Sequence, residues 1–329
     1  MNKNLFSLEF VHLEDLLFHE ICDFKRTQKL AEEIKKDGHL KNPVLVGSIK
    51  TEGSFVGRSV DSNEIATEGS YPTFCSVSSG CPHSDPSLVQ DKGDRQRQAH
   101  QERVEKLLVL DGVNRISALR LLNIPDVLIQ RVDYEDEKVK LSSWNHLIFN
   151  AQKEEIIKKL KDLNLEVSFC PLNWAEEALK DQRTISYFLF SDLSGFVVNT
   201  ANFTSEDKVK NLCKLMATYN GRSEIRYLDP DNHFISMFEH FENSSAVNLI
   251  PQFDKKEILN LALKGILLPF GVTRFIVPNR VLGLEVSCSV LAAQTSLLEK
   301  NLFLKELLIY RLKTQKAKFY QESVTLFNE

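Results

Sequence analysis

The sequence predicts a mixed α/β (α+β) protein. Three observations carry that expectation. Apolar residues at helical spacing alternate along the chain with apolar runs of strand length. Two compact units, at 24–46 and Lys106–Tyr134, join a helix to strands through tight turns. No heptad array, repeat architecture or collagen-like tract competes with this reading.

The first unit reads as helix, turn, strand. Leu30 and Ile34 share a helical face, Gly38 suits the position just past the helix, and Asn42-Pro43 leads into Val44-Leu45-Val46. In the second unit Leu107–Leu110 is a short apolar strand and Asp111-Gly112 turns the chain. Ile116, Leu119 and Leu122 then form a helical stripe that Pro125 ends, and Val127–Tyr134 is a strand of alternating character. Further on, Ile156, Ile157, Leu160 and Leu163 mark a helix. Leu165–Phe169 and Thr184–Leu189 read as strands, and Val209, Leu212, Leu215 and Met216 as a helix. Ile225–Leu228 is a strand, Lys255–Lys264 a helix, Arg274–Val277 a strand, and 287–320 largely helical.

Residues 51–104 have neither period. They hold five of the chain's 13 glycines and many serines, repeat Thr-Glu-Gly-Ser at 51–54 and 67–70, and end in a polar run from Asp91 to Gln98. A segment this poor in apolar residues does not offset its ordering entropy, so it reads as a disordered insertion.

The 329 residues carry 41 Lys+Arg and 45 Asp+Glu, a formal charge of −4, which argues against coating nucleic acid by bulk charge. With 43% apolar and 26% charged residues the chain has an ordinary globular composition. Six cysteines are too few for a disulfide scaffold, and Cys75 and Cys81 lack a zinc spacing, so a reducing cytoplasm is expected. The N-terminus reaches Glu9 before any apolar signal region, and the longest apolar stretch, near Ile266–Val272, is interrupted by Pro269 and Gly271. It falls far short of the ~20 residues that span a bilayer, so no membrane association is expected.

The strongest chemical feature is Leu108-Val109-Leu110-Asp111-Gly112-Val113-Asn114-Arg115, a strand running through a tight turn into a helix. The unpaired N–H groups of that helix start favour an anion, Arg115 offers a planar fork for phosphate, and Asp111 suits a divalent cation beside it. The same residues also fit a capping turn with a surface ion pair. Glu20, in His19-Glu20, follows Leu16-Leu17 and precedes Ile21, a setting that can desolvate a carboxylate and make it a general base, although an isolated Glu here fits a surface carboxylate in a charged loop better. Trp144-Asn145-His146 combines an apolar wall, an amide and a titratable ring, or is a core Trp with solvated neighbours. Thr273, Arg274 and Arg280 offer a clamp for carboxylate or phosphate, or belong to an edge strand with surface arginines.

Taken together, His19-Glu20, the 24–46 unit, the Asp111-Gly112-Val113-Asn114-Arg115 turn, Ile124-Pro125 and Arg131–Tyr134 resemble the ParB N-terminal/sulfiredoxin fold. Trp144-Asn145-His146 and Gly271-Val272-Thr273-Arg274 narrow the resemblance to ParB-like free L-serine kinases, of the siderophore-cluster and archaeal cysteine-synthesis types. The resemblance covers about 15–50 and 105–285. It implies a ParB/sulfiredoxin-like nucleotide-binding domain at 1–150, interrupted by the 51–104 insertion. A second mixed α/β lobe at 151–329, with a C-terminal helix, completes the substrate pocket.

The resemblance further implies phosphorylation of free L-serine to O-phospho-L-serine by ATP or ADP with Mg²⁺, feeding cysteine or siderophore-precursor synthesis. Glu20 matches the family's catalytic acid–base position and Asp111 its strand-end aspartate, taken as catalytic and metal-binding. Gly112, Val113, Asn114 and Arg115 would hold phosphate. Trp144, His146, Thr273 and Arg274 would line the amino-acid side, with Arg280 as a further anion contact. Sulfiredoxin chemistry is excluded because no cysteine lies near the turn. The alternative is a ParB-like regulator that binds DNA or senses a ligand. Its support is Lys300, Lys305, Arg311, Lys313, Lys316 and Lys318 against the single acid Glu306.

Overall fold

The computed structural model describes residues 7–51, 104–181, 183–201, 204–231 and 233–320. The predicted mixed α/β architecture is present. The first part of the chain forms β1 (Leu8–His12), β2 (Leu16–Leu17), α1 (Phe24–Asp37), β3 (His39–Leu40), β4 (Val44–Thr51), β5 (Val104–Asp111), α2 (Val113–Leu121) and β6 (Asp126–Asp133). Strands β1, β6, β4, β5 and β2 lie side by side in that order. The expected disordered insertion falls outside the described residues except at its ends. Thr51 and Val104 are facing partners at the tip of the antiparallel β4–β5 hairpin, so both strands run further than the sequence indicates.

This sheet is buried on both faces, which explains its unbroken apolar runs. Val44, Val46, Leu107 and Val109 enter a core closed by α1 and α2. Their neighbours Leu45, Ile49, Leu108 and Leu110 enter a second core shared with the rest of the chain. The alternation expected in β6 is absent: Asp126–Gln130 are all buried, because β1 and β4 flank this strand and both faces are covered.

The chain continues through β7 (Lys140–Ser143), β8 (Asn145–Phe149), α3 (Lys153–Asp162), β9 (Glu166–Phe169), α4 (Ala175–Lys180), β10 (Thr184–Phe190) and β11 (Gly195–Asn199). It then forms α5 (Ser205–Met216), β12 (Ile225–Leu228), α6 (Phe234–His240), β13 (Ser244–Leu249) and α7 (Lys255–Leu263). Strands β12, β8, β13, β10, β11 and β9 make an antiparallel sheet in that order. Helices α3, α5 and α7 cover the face that joins the first sheet, and α4 and α6 cover the other.

The last elements are β14 (Thr273–Ile276), β15 (Val286–Ser287), α8 (Cys288–Ala292) and α9 (Leu297–Lys313). Strand β14 pairs with β7, and β15 with β3. The sequence assigns the C-terminal helix to the second lobe; the structure packs it on the first sheet. Asn301 Oδ1 accepts from Phe10 N at 2.7 Å and its Nδ2 donates to Phe10 O at 3.2 Å, closing the outer edge of β1. Lys300 is buried and donates to Asp126 Oδ2 at 2.5 Å and to Leu291 O at 2.9 Å, while His12 Nδ1 sits 2.6 Å from Asp126 Oδ1. Lys300 is thus unavailable to any basic stripe. The exposed side of α9 carries Leu298, Leu302, Phe303, Ile309 and Tyr310. Residues 314–320 are not helical. Among the described residues, no helix is long and apolar enough to cross a membrane.

Two outcomes follow. Lys300→Ala leaves buried Asp126 with His12 alone of its two side-chain partners and should cost up to about 3–5 kcal/mol in denaturant unfolding. Joining Thr51 to Val104 through a two-residue Asn-Gly turn in place of 52–103 should preserve the circular dichroism spectrum and cooperative unfolding, because the hairpin register already ends there. An insoluble or non-cooperative product would show that 52–103 contribute to the fold.

Candidate active site

Glu20 lies in the short segment between β2 and α1, and that segment is tied down from both sides. Ile21 N donates to Leu268 O at 2.9 Å and Leu268 N to His19 O at 2.8 Å, a parallel bridge to the stretch before β14. At the other end Asp23 caps α1, and Asp23 N donates to Asn114 Oδ1 at 2.8 Å. The Glu20 side chain is 14% exposed, and its Oε1 accepts from Thr273 N at 2.8 Å and from the Thr273 hydroxyl. Burial pushes its carboxyl up to about 7; the Thr273 bonds oppose that rise and Asp111 adds to it. A buried carboxyl poised near neutrality has the property of a general base or acid.

His19 is 1% exposed, with Nδ1 2.7 Å from Val109 O and Nε2 2.7 Å from Thr273 Oγ1. Burial pulls its imidazole down to about 4, so the ring is neutral at physiological pH. The Phe275 ring stands edge-on to it at 5.5 Å.

Asp111 ends β5 beside the start of α2. Gly112 makes the turn at φ 109°, and a Cβ there would meet the Arg115 guanidinium and Val44 at 3.0 Å. Asp111 Oδ2 accepts from Arg115 at 2.8 Å and from Arg280. Burial pushes the Asp111 carboxyl up, but Arg115, Arg280 and Arg26 outweigh it and hold the carboxyl below its ordinary range. Three arginines around one carboxylate leave net positive charge at a helix N-terminus, an arrangement suited to phosphate.

The expected phosphate residues divide sharply. Arg115 also donates to Asn42 O at 3.0 Å and Pro43 O at 2.8 Å, so its fork holds the turn together. Asn114 accepts from Asp23 N and from the Thr27 hydroxyl, which ties α2 to α1. Val113 is a core residue. What remains for an anion at this helix start is backbone N–H and the half-exposed Arg280. Gln130 clamps the Arg280 loop from both sides, donating to Asn279 O at 2.8 Å and accepting from Val281 N at 2.9 Å. Exposed Arg26, at the first turn of α1, is a cation that the sequence reading missed.

The other wall is aromatic. Trp144 lies under the Arg274 guanidinium at 4.4 Å and 6.2 Å from Tyr227, and Arg274 is ion-paired with Asp229. Burial pushes the Tyr227 hydroxyl up to about 12, with Asp23 and Glu20 adding to the effect, which places this ring beside the Glu20 segment. Gly271 permits that approach: at φ +74° its absent Cβ would lie 2.4 Å from Tyr227 Cε1. Tyr227 was legible only as a strand residue; its role depends on a contact between distant segments.

His146 does not line this space. It is fully buried, donates from Nε2 to Gly271 O at 2.7 Å, and accepts at Nδ1 from the Tyr219 hydroxyl at 2.9 Å. Tyr219 in turn accepts from Asn248 Nδ2 at 2.8 Å. The expected substrate ligand is therefore a support for the Gly271 turn. Thr273 is likewise spoken for by Glu20 and His19.

The Glu20 environment has a stability consequence. The folded state binds this proton more tightly than the unfolded chain, so the contribution is present below the ordinary value of 4.5 and is lost as pH rises through about 7. Glu20→Gln lacks that titration. The variant should match the parent near pH 4.5 and exceed it by about 3 kcal/mol at pH 8. Denaturant unfolding at both pH values checks this; a pH-independent gap would contradict a desolvated Glu20.

No protein-family model matches the sequence, and none of the curated proteins does. Solved structures do match. SbnI with C-terminal truncation from Staphylococcus aureus aligns over 93% of this chain and 97% of its own, with TM-score 0.60 and 16% identity. A conserved hypothetical protein from Pyrococcus furiosus aligns over 87% and 97%, with TM-score 0.60 and 16% identity. A free serine kinase in complex with AMP aligns over 87% and 94%, with TM-score 0.59 and 16% identity. The chain has the fold shared by these structures.

Proposed function

We propose that the protein is a kinase that phosphorylates free L-serine to O-phospho-L-serine from ATP or ADP. The observation that carries this reading is the juxtaposition of Glu20, a buried carboxyl near neutrality, with the arginine-ringed start of α2. The fold likeness to a free serine kinase bound to AMP, and to another of its structures bound to ADP, supports it.

Phosphoryl transfer asks the protein mainly for positioning and charge neutralisation. The α2 N–H groups and Arg280 take the donor phosphates, and Arg115 and Asn114 keep that cradle rigid. Glu20 accepts the serine hydroxyl proton as its oxygen bonds to phosphorus. Trp144 and Tyr227 wall the amino-acid side, and Arg274 draws the serine carboxylate. Among the described residues no group of three or more His, Cys, Asp or Glu could hold a metal ion. Asp111 Oδ2 is taken by Arg115 and Arg280, so Asp111 would offer Mg²⁺ at most one carboxylate oxygen, and the ion's shell and charge balance would have to come from phosphates and water. Bound there, the ion would neutralise phosphate charge. The product is an activated serine for cysteine or siderophore-precursor synthesis, made in the cytoplasm. Of the basic run behind the DNA-binding alternative, Lys300 is buried, whereas Lys305, Lys313, Lys316 and Lys318 stay exposed beside the apolar residues of α9.

Phosphorus NMR of a mixture of protein, serine, Mg²⁺ and either nucleotide should reveal phosphoserine. Glu20→Gln should lower kcat by about 10²–10⁴-fold while nucleotide affinity stays near the parent's. Arg280→Ala should raise the nucleotide Kd without altering unfolding, whereas Arg115→Ala should lower stability as well. No phosphoserine from the parent protein would overturn the reading.

A further inference from the structure

The Thr273 hydroxyl has one proton and two acceptors in reach. One is Glu20 Oε1 and the other is His19 Nε2, at 2.7 Å. The His19 tautomer is fixed from behind. Val109 O, 2.7 Å from Nδ1, can only accept, so Nδ1 carries the ring proton and Nε2 is left as an acceptor. The hydroxyl therefore serves one partner at a time. An ionised carboxylate attracts it more strongly than an imidazole does, and an imidazole more strongly than the carbonyl oxygen of a protonated carboxyl.

We propose that Thr273 and His19 are positioning residues that set the basicity of Glu20. The hydroxyl donates to Glu20 while that group is ionised and turns to His19 Nε2 once Glu20 has taken a proton. The inference rests on Glu20 being the base of the proposed reaction. In that reaction the serine O–H bond breaks as its oxygen bonds to phosphorus. The phosphorus–oxygen bond to the nucleotide breaks with its electron pair, and the proton goes to Glu20 and later to water. The Thr273 O–H only rotates.

Several groups face this triad. The Asp111 carboxylate acts on both Glu20 and His19, and His19 Nε2 is 3.9 Å from Glu20 Oε1. Tyr227 borders Glu20, with Asp23 and Arg26 beyond it, and Phe275 contributes only a ring edge to His19. Among the described residues, Thr273 is the one hydrogen-bond partner of His19 Nε2. Without His19, protonated Glu20 would leave the hydroxyl with a weaker acceptor, so His19 favours the protonated form.

Two variants should move Glu20 in opposite directions. Thr273→Val keeps the shape and removes the hydroxyl; ionised Glu20 loses a charge-assisted bond, and the acid limb of the kcat profile should shift upward. His19→Asn places an amide where Nδ1 meets Val109 O and removes Nε2; the hydroxyl then stays on Glu20, and the limb should shift downward. Each displacement should be roughly 0.5–1 pH unit, with serine KM moving less than kcat. Thr273→Ser should restore the parent profile. Nitrogen-15 NMR of the nucleotide-free protein gives a readout independent of turnover. His19 should be the Nδ1–H tautomer, and its Nε2 shift should follow the Glu20 titration in the parent but not in Thr273→Val. Shifts of the same sign in both variants, no shift in either, or an Nε2–H tautomer would overturn the proposal. A parent protein inactive toward serine would refute the serine-kinase reading while leaving the NMR test decisive for the triad.

Discussion

The arrangement depends on one long-range attachment: the backbone and side-chain bonds that join residues 19–21 to residues 268–273. They connect the beginning of the chain to a segment about 250 positions later. Local sequence gives the Glu20 segment no helix or long strand of its own, so its position comes from partners distant in sequence: Val109 and Asn114 on one side, Leu268 and Thr273 on the other. The shared core makes those partners rigid. Leu45, Leu108 and Leu110 of the first sheet pack in one cluster with Phe188, Leu212 and Leu268. Glu20 is desolvated only when both halves are folded together.

The cost of that desolvation is accepted at one residue and offset around it. Two donors from Thr273 stabilise the carboxylate form of Glu20, and three arginines hold Asp111 ionised nearby. The two carboxyl groups are therefore driven apart in acidity by different surroundings, one toward neutrality and one below its usual range. Such divergence is a recognised physical signature of acid–base sites.

Much of the fold was legible where the pattern was local. The α1 stripe ending at Gly38 and the strand–turn–helix at Asp111-Gly112 follow from spacing and turn chemistry alone. So do the helices at 153–162, 205–216 and 255–263. Strands β8, β11 and β13 escaped notice because short segments buried on both faces carry little alternation, and β1 and the partly exposed β7 because they are only five and four residues long. Glu20, Asp111 and Trp144 could be named from the sequence as candidates, Glu20 mainly through the family resemblance. The division of labour among Arg115, Asn114, His146 and Thr273 was not legible. Each is a polar residue beside the site, and only the partners on the far side of the side chain decide whether it faces ligand or protein. Asn42, Pro43, Asp23, Gly271 and Glu20 supply those partners from distant parts of the sequence.

The β4–β5 hairpin separates two ends of one sheet. Strand β5 begins at Val104, beside Thr51, and finishes at Asp111 seven residues later. At ~3.3 Å per residue, the strand carries its site end about 23 Å from the hairpin tip. Any sequence spliced in at the tip thus starts a full strand length from the Asp111–Gly112 turn. The tip is a natural attachment point for a reporter or an added binding module. Evolutionary change in length can accumulate there while the geometry around Asp111 and Glu20 stays under separate selection.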